Sequence, residues 1–169
     1  GVRLWLAGRQ IAHVLSHRNA VPGEFADTIG LDAHQRAADY TAARVALGRW
    51  STLAGVMLLL LLTLGGGIQA IHDGWAAWLT PGGLAHGVAL IASVAVLSWA
   101  VDLPFDVYKT FGIEARFGFN RMTPALFAAD LARQAALAAA LGLPILTGLL
   151  WIIGVAGALW WLYAWACWW

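Results

Sequence analysis

The sequence predicts an all-α fold, a polytopic helical membrane protein with about four to five transmembrane helices and cytoplasmic helical extensions. Hydrophobic residues make up 61% of its 169 residues and charged residues only 11%, whereas a soluble domain averages about 25% charged residues. Eleven Trp residues are present, and Trp gathers at membrane–water interfaces. The net charge is +1 and the basic residues are spread along the chain, so no nucleic-acid partner is expected.

Uncharged stretches place the predicted spans, because a helix needs about 20 apolar residues to cross a bilayer. We predict spans at residues 50–71, 84–101 and 134–153, and an incomplete one at 158–169. Residues 1–15 are interpreted as the end of a truncated first helix. The whole chain, 1–169, is expected to be a single transmembrane domain, either a piece of a longer membrane protein or a heavily trimmed one; the family resemblance described below makes it the N-terminal one.

The last uncharged stretch, from Gln134 to Trp169, is too long for one span. As a single helix it would measure about 54 Å at ~1.5 Å per residue, against a hydrocarbon core of about 30 Å. We expect a turn at Gly154–Gly157 and a kink at Pro144.

Local signals predict where other helices begin and end. A helix should begin near Ala33, with Asp32 as its cap and Gln35 three residues later, as in a capping box, and should run unbroken into the 50–71 span. Thr123 followed by Pro124 is typical of a helix start. The glycines at 65–67 indicate either a close-packing site or a fraying helix end.

The basic residues predict the orientation in the membrane. All ten Lys and Arg residues fall within residues 1–49 or 103–133, and none lies at 70–83 or around Gly154. By the positive-inside rule the polar segments 16–49 and 102–133, which are predicted to be loops, are cytoplasmic. Asp102 and Pro104 are expected to close the span at 84–101. The protein is expected to be integral to a membrane, which would be the inner membrane if the source is bacterial.

Catalytic and metal-binding patterns were sought and not found. The sequence has only two Glu residues, and no H-E-x-x-H zinc helix occurs. His13 and His17 are spaced to share one helix face, but two ligands fall short of the three or four that zinc takes. His34, His72 and His86 are interpreted as single interfacial residues. The predicted span interiors hold no charged side chain, which argues against an ion-coupled carrier.

The stretch from Leu103 to Pro124 is both charged and aromatic, which suits a membrane boundary. Phe105, Tyr108 and Phe111 follow Pro104 at helical spacing. They indicate either an amphipathic helix lying in the interface or a surface that shapes a substrate entrance.

Two polar features follow in the same stretch. The Phe-Gly-Phe-Asn sequence at 117–120 is typical of a turn held by packed rings. Glu114, Asn120 and Arg121 are either structural hydrogen-bonding groups or contacts to a partner domain.

Both polar segments resemble the N-terminal membrane region of the type I CAAX prenyl proteases. The first match comprises His17-Arg18, Val21-Pro22, Phe25 and the stretch HQRAADYTAAR at His34–Arg44; the second is LPFDVYKTFGIEARFGFNRMTP at Leu103–Pro124, followed by Phe127 and Asp130. The structural or docking candidates that this resemblance supplies are His34, Gln35, Tyr40, Pro104, Phe105, Tyr108, Phe111, Glu114, Phe117, Gly118, Phe119, Asn120 and Asp130.

The resemblance implies an integral membrane zinc metalloprotease with seven transmembrane helices around a chamber. In that family the zinc site lies after the fifth helix, and prenylated proteins are cleaved near the C-terminus. Because this chain ends within what would be the fifth helix, zinc is expected only in the full-length enzyme, and this fragment is expected to be inactive. Its partners would be the lipid bilayer, the missing C-terminal catalytic domain and, in the full-length enzyme, a protein or peptide substrate. A non-catalytic scaffold or regulator that keeps the family shell, and an unrelated small carrier, are the alternatives.

Overall fold

A computed structural model describes residues 1–21, 30–157, 161–162 and 165–166, and the regular structure in these ranges is entirely helical. The α-helices are α1 (Val2–Ser16), α2 (Leu31–Thr63), α3 (Gly67–Ala76), α4 (Leu84–Val107), α5 (Pro124–Leu137) and α6 (Leu143–Ala156). Two π-helical segments are interposed, π1 at Tyr108–Glu114 and π2 at Ala138–Gly142. The all-helical fold class is confirmed.

Three continuous helices of the described chain are long and apolar enough to cross a membrane: Leu31–Thr63, Leu84–Glu114 and Pro124–Ala156. Each has 31 or 33 residues, or about 46–50 Å at ~1.5 Å per residue. That exceeds a hydrocarbon core of about 30 Å, so part of each helix would extend beyond the hydrocarbon core. Their apolar side chains are mostly exposed, as is expected of helices whose solvent is lipid.

The chain divides into two compact units. Unit 1 comprises Gly1–Leu59 and Trp99–Met122, and unit 2 comprises Leu60–Ser98 and Thr123–Trp169. In unit 1, Ser51 donates a hydrogen bond to Asp102 over 3.4 Å, which joins α2 to α4 at the polar ends of their apolar stretches. In unit 2, Leu150 lies 3.3 Å from the position that a Cβ on Gly87 would take, so α4 and α6 approach closely there.

Helix α2 follows its prediction at the start and departs from it at the end. It begins at Leu31 and continues into the apolar stretch, as expected, but it ends at Thr63 and not at residue 71. The glycines explain the end. A Cβ on Gly65 would lie 2.6 Å from the Leu61 carbonyl oxygen, and Gly66 has φ +75°, which favours glycine. The three glycines therefore end α2 and begin α3.

Asp32 does not cap α2. It is the second residue of the helix, and there its carboxylate is favourable as a negative charge near the helix N-terminus. Gln35, the expected partner in a capping box, instead donates to the side chain of Asn19 at 3.1 Å. Asp32 and Arg36 form no ion pair in the structure, although their spacing permits one.

The second polar segment is far more helical than its designation as a loop suggests. Helix α4 passes through Pro104 to Val107 and continues as π1 to Glu114. Phe105, Tyr108 and Phe111 therefore belong to this long helix and not to a separate helix lying in the interface. Proline removes one backbone donor from a helix, and π-helical turns are one way in which helices absorb such an irregularity.

The later elements agree more closely with expectation. Thr123 caps α5, its hydroxyl accepting from the Leu126 amide at 3.2 Å, with Pro124 directly after it. Helix α6 continues through Gly154 and ends at Ala156, and Gly157 has φ +53°. The expected turn is thus placed at the last of the four residues. The incomplete span predicted at 158–169 lies largely outside the described residues.

Candidate functional site

The polar end of unit 1 holds most of the residues that the sequence singled out. Arg18 and Asp39 form an ion pair there, with Nε donating to Oδ1 at 2.7 Å and Nη2 to Oδ2 at 2.8 Å. His34 donates through Nε2 to the His17 carbonyl at 2.9 Å. Together with the bond from Gln35 to Asn19, these contacts tie the segment after α1 to the first three turns of α2.

Each member of the Arg18–Asp39 pair shifts the pKa of the other toward its charged form. The hydrogen bond from Arg18 holds the pKa of Asp39 below its ordinary value, and the nearby positive charges of Arg18 and Arg116 act in the same direction. The bond to Asp39 in turn raises the pKa of Arg18. Both groups therefore remain charged at neutral pH. The pair lies ahead of the apolar part of α2, where water screens it.

Tyr40 connects α2 to the turn that follows π1. Its ring meets Phe117 edge-on at a centroid distance of 5.6 Å and Phe119 at 5.1 Å. Such edge-to-face pairs are favourable beyond the area that they bury. The guanidinium of Arg116 lies 5.7 Å from the centre of the Phe117 ring. We call Tyr40, Phe117 and Phe119 the aromatic cluster.

The turn that carries the two phenylalanines is built from backbone bonds. The Glu114 carbonyl accepts from the amides of Phe119 at 2.9 Å and Asn120 at 3.1 Å. Gly118 between them has φ +78°, a conformation that only glycine adopts without strain. The Asn120 side chain accepts from the Met122 amide at 2.7 Å. Asn120 and the Glu114 backbone thus make hydrogen bonds within the chain, one of the two alternatives that their sequence left open.

The structure does not gather every motif residue into this site. Tyr108 lies in π1, where its ring fills the space beside Gly112, 3.1 Å from where a Cβ would be. Pro104 and Phe105 lie further back on α4. Asp130 belongs to unit 2 and pairs with Arg133, three residues later, at 3.1 Å.

Sequence reasoning missed two arrangements. The Arg18–Asp39 pair joins residues 21 positions apart, a distance at which no local spacing rule applies. His72 and His86 were each interpreted as a single interfacial residue, but they contact one another. Their rings meet edge-on at 4.6 Å, and the His86 Nε2 donates to the His72 carbonyl at 3.2 Å. His86 is only 3% exposed. This contact ties α3 to the start of α4 within unit 2.

Unit 2 also contains an open apolar cavity of about 1110 Å³ between α3, α4 and α6. Small residues on α4, among them Ala85, Ala89 and Ala92, form its floor. The Trp75 indole donates to the Ser93 hydroxyl at 2.9 Å, which fixes that ring at the cavity wall. The lining is almost wholly apolar, as a lipid-facing or helix-facing surface would be.

Metal ligands are not grouped in the described part of the chain. The rings of His13 and His17 lie 4.4 Å apart on one face of α1, as their spacing predicted. The His17 Nδ1 donates to the His13 carbonyl at 2.9 Å. No cluster of three or more His, Cys, Asp or Glu side chains in the described ranges is placed to hold a metal ion.

The fold and the polar site together define an integral membrane protein of helical, polytopic type. Residues 10–169 match a family profile described as CAAX prenyl protease N-terminal, five membrane helices. The chain belongs to this family.

Individual relatives agree with the family match. A CAAX prenyl protease 1 homolog from Caenorhabditis elegans is 29% identical over 153 residues, 89% of this chain and 33% of that protein. The Homo sapiens homolog is 26% identical over 97% of this chain and 36% of its own length. The crystal structure of S. mikatae Ste24p matches 96% of this chain and 38% of that chain with a TM-score of 0.83 and 22% identity, which shows a common fold. The chain therefore spans about a third of the length of these relatives.

Proposed function

We propose that this chain is the membrane-embedded N-terminal part of a CAAX prenyl protease-like zinc metalloendopeptidase that cleaves proteins, including prenylated ones, at the membrane. The observation that carries the proposal is the family match across residues 10–169, made by a chain that covers only 33% and 36% of two relatives named CAAX prenyl protease 1 homolog. In this reading the chain supplies membrane helices that form part of a chamber wall, and the remaining two thirds supply the reaction.

Zinc is assigned to the remainder of the enzyme and not to this chain. The sequence contains no H-E-x-x-H pattern, and the described residues offer no group of three metal-binding side chains, where zinc takes three or four protein ligands. The residues that the structure describes therefore do not fit a zinc site, and we expect this chain to be inactive by itself.

The polar end of unit 1 is proposed to face the cytoplasm and to form a collar for the catalytic part. Nine of the ten Lys and Arg residues belong to unit 1, and Arg133 alone belongs to unit 2. Such an excess of Lys and Arg favours the cytoplasmic side. The motif residues in this end, including Tyr40, Phe117 and Phe119, are held by contacts inside unit 1 and give the collar a fixed surface.

A peptidase assay tests the proposal. The purified chain in nanodiscs would be supplied with a farnesylated peptide, and its zinc content would be measured at the same time. We expect no turnover and far less than one zinc ion per chain, and turnover by the chain alone would refute the assignment. Co-expression with the remaining two thirds of a relative should restore zinc binding and cleavage. If it restores neither, the non-catalytic scaffold becomes the better reading.

A further inference from the structure

Exposed arginines surround the aromatic cluster, in the end of unit 1 that is proposed to form the collar. Arg36 and Arg44 precede and follow Tyr40 by four residues on α2, which places all three side chains on one helix face with about 5–6 Å between neighbouring Cβ atoms. Arg116 lies beside Phe117. All three arginines are exposed. We call Arg36, Tyr40, Arg44, Arg116 and Phe119 the Tyr40 surface.

The positive charges of this surface are not compensated by ion pairs. Among the described residues, the Lys and Arg side chains in ion pairs are Arg18 and Arg133. Asp32 lies one turn from Arg36 without pairing with it. Asp39 is next to Tyr40, but both of its carboxylate oxygens already accept from Arg18. Within the described ranges Arg36 and Arg44 are therefore available to an anionic ligand, and so is Arg116, whose charge acts on Asp39 without forming an ion pair.

An exposed ring adds an apolar contact to these charges. Phe119 is 58% exposed although one side of its ring is held against Tyr40. Tyr and Arg are enriched where protein surfaces bind each other most strongly. We propose that the Tyr40 surface binds an acidic segment of a partner protein, whose carboxylates pair with the three arginines and whose apolar side chain packs on Phe119.

The distance of Arg36 and Tyr40 from the membrane favours a protein over a lipid headgroup as the ligand. Tyr40 precedes Trp50, where the apolar part of α2 begins, by ten residues, or about 15 Å of helix. The headgroup layer is only about 5–8 Å deep on each side of the bilayer. A helix tilt of about 20° reduces the height by less than a tenth. Arg36, about 21 Å along the helix from Trp50, is beyond the reach of lipid phosphates.

Peptide binding to the chain in nanodiscs of zwitterionic phosphatidylcholine tests the inference. The probe is a fluorescein-labelled decapeptide of Glu and Ser with one central Phe, followed by fluorescence anisotropy. The Arg36→Gln/Arg44→Gln double variant should bind it about tenfold more weakly, because it loses two exposed ion pairs to the peptide. The Arg3→Gln/Arg49→Gln variant removes the same charge from exposed arginines outside the surface, and should change binding less than about twofold.

Further measurements separate the remaining readings. Phe119→Ser should weaken binding of the probe but not of a decapeptide whose Phe is replaced by Ser. Circular dichroism should show unchanged helicity in every variant. Absence of binding by the unaltered chain, or equal losses in the two double variants, would overturn the inference. A lipid site would be identified instead if short-chain phosphatidylglycerol displaces the probe from the unaltered chain and this displacement is lost in the Arg36→Gln/Arg44→Gln variant. These outcomes do not depend on peptidase activity, so the proposed function stands or falls separately.

Discussion

Arg18 and Asp39 form a two-point ion pair, with both guanidinium–carboxylate bonds at 2.7–2.8 Å. The two residues are 21 positions apart, and the pair fastens the segment after α1 to the third turn of α2. Paired bonds between a guanidinium fork and a carboxylate add directional specificity to charge attraction. The arrangement makes unit 1 sensitive to pH and to the length of the side chain at either position.

Acid should loosen this attachment. The pKa of Asp39 is lowered from 3.8, chiefly by the Arg18 hydrogen bond, so the pair stabilises the fold above the unfolded-state pKa. That stability is lost as the pH falls through the lowered value. The thermal midpoint, followed by tryptophan fluorescence in detergent, should therefore fall below about pH 4.

Two Asp→Asn variants test the pH response. Asp39→Asn should already be less stable at neutral pH and should respond less to acid. Asp32→Asn, which removes an unpaired carboxylate from the same helix, should keep the acid response of the unaltered chain. If the Asp39→Asn variant also keeps the acid response, Asp39 is not the source of that response.

The junction between α2 and α3 should not tolerate a side chain at Gly65. A Cβ there would lie 2.6 Å from the Leu61 carbonyl oxygen, and backbone atoms cannot give way as a flexible side chain does. We expect Gly65→Ala to cost about 1–3 kcal/mol of unfolding free energy, the range of local backbone strain. Gly74 in α3 has open space around it, so Gly74→Ala is the matched control and should be neutral or slightly stabilising. Equal unfolding free energies for the two variants would contradict this account.

His86 should matter more to unit 2 than His72, although their rings touch. His86 is buried and donates to a backbone carbonyl, so His86→Ala removes both a buried ring and that hydrogen bond. A loss of about 0.5–1.5 kcal/mol is expected from the hydrogen bond alone. His72→Ala removes the ring contact and the exposed contact of the His72 Nδ1 with Asp73, but it keeps the acceptor of the His86 hydrogen bond, because that acceptor is the main chain. Amide hydrogen exchange in α3 should increase strongly in the first variant and little in the second; the reverse order would refute this explanation.

The aromatic cluster should depend on the Tyr40 ring and not on its hydroxyl. Two edge-on contacts, to Phe117 and Phe119, each contribute about 0.5–1.5 kcal/mol beyond burial. Tyr40→Ala should therefore cost about 1–3 kcal/mol from the ring contacts, and Tyr40→Phe should be near neutral. Limited proteolysis at Arg116 and Arg121 reports the outcome, since a turn released from α2 is cleaved faster. Rapid cleavage of Tyr40→Phe would mean that the hydroxyl matters.

Spans and helix ends could be foreseen where local chemistry decides them. Uncharged length indicated membrane helices, and Thr123 with Pro124 indicated the start of α5, because both signals lie within one continuous stretch of the chain. Pro104 misled the prediction, because proline disfavours a helix locally while α4 continues through it into π1. The capping box predicted at Asp32 is also absent, because the helix begins one residue earlier, after Gly30. Gln35 donates to Asn19, sixteen residues away, and not to the start of its own helix.

The sequence by itself determined the all-helical membrane class, the family resemblance and the concentration of basic residues in two polar segments. These follow from composition, hydrophobic length and motif spacing, which are properties of neighbouring residues. Tertiary structure decided which distant residues meet: Arg18 with Asp39, Tyr40 with Phe117 and Phe119, and His72 with His86. No local rule specifies those contacts, because each depends on how two helices or a helix and a turn are placed in space.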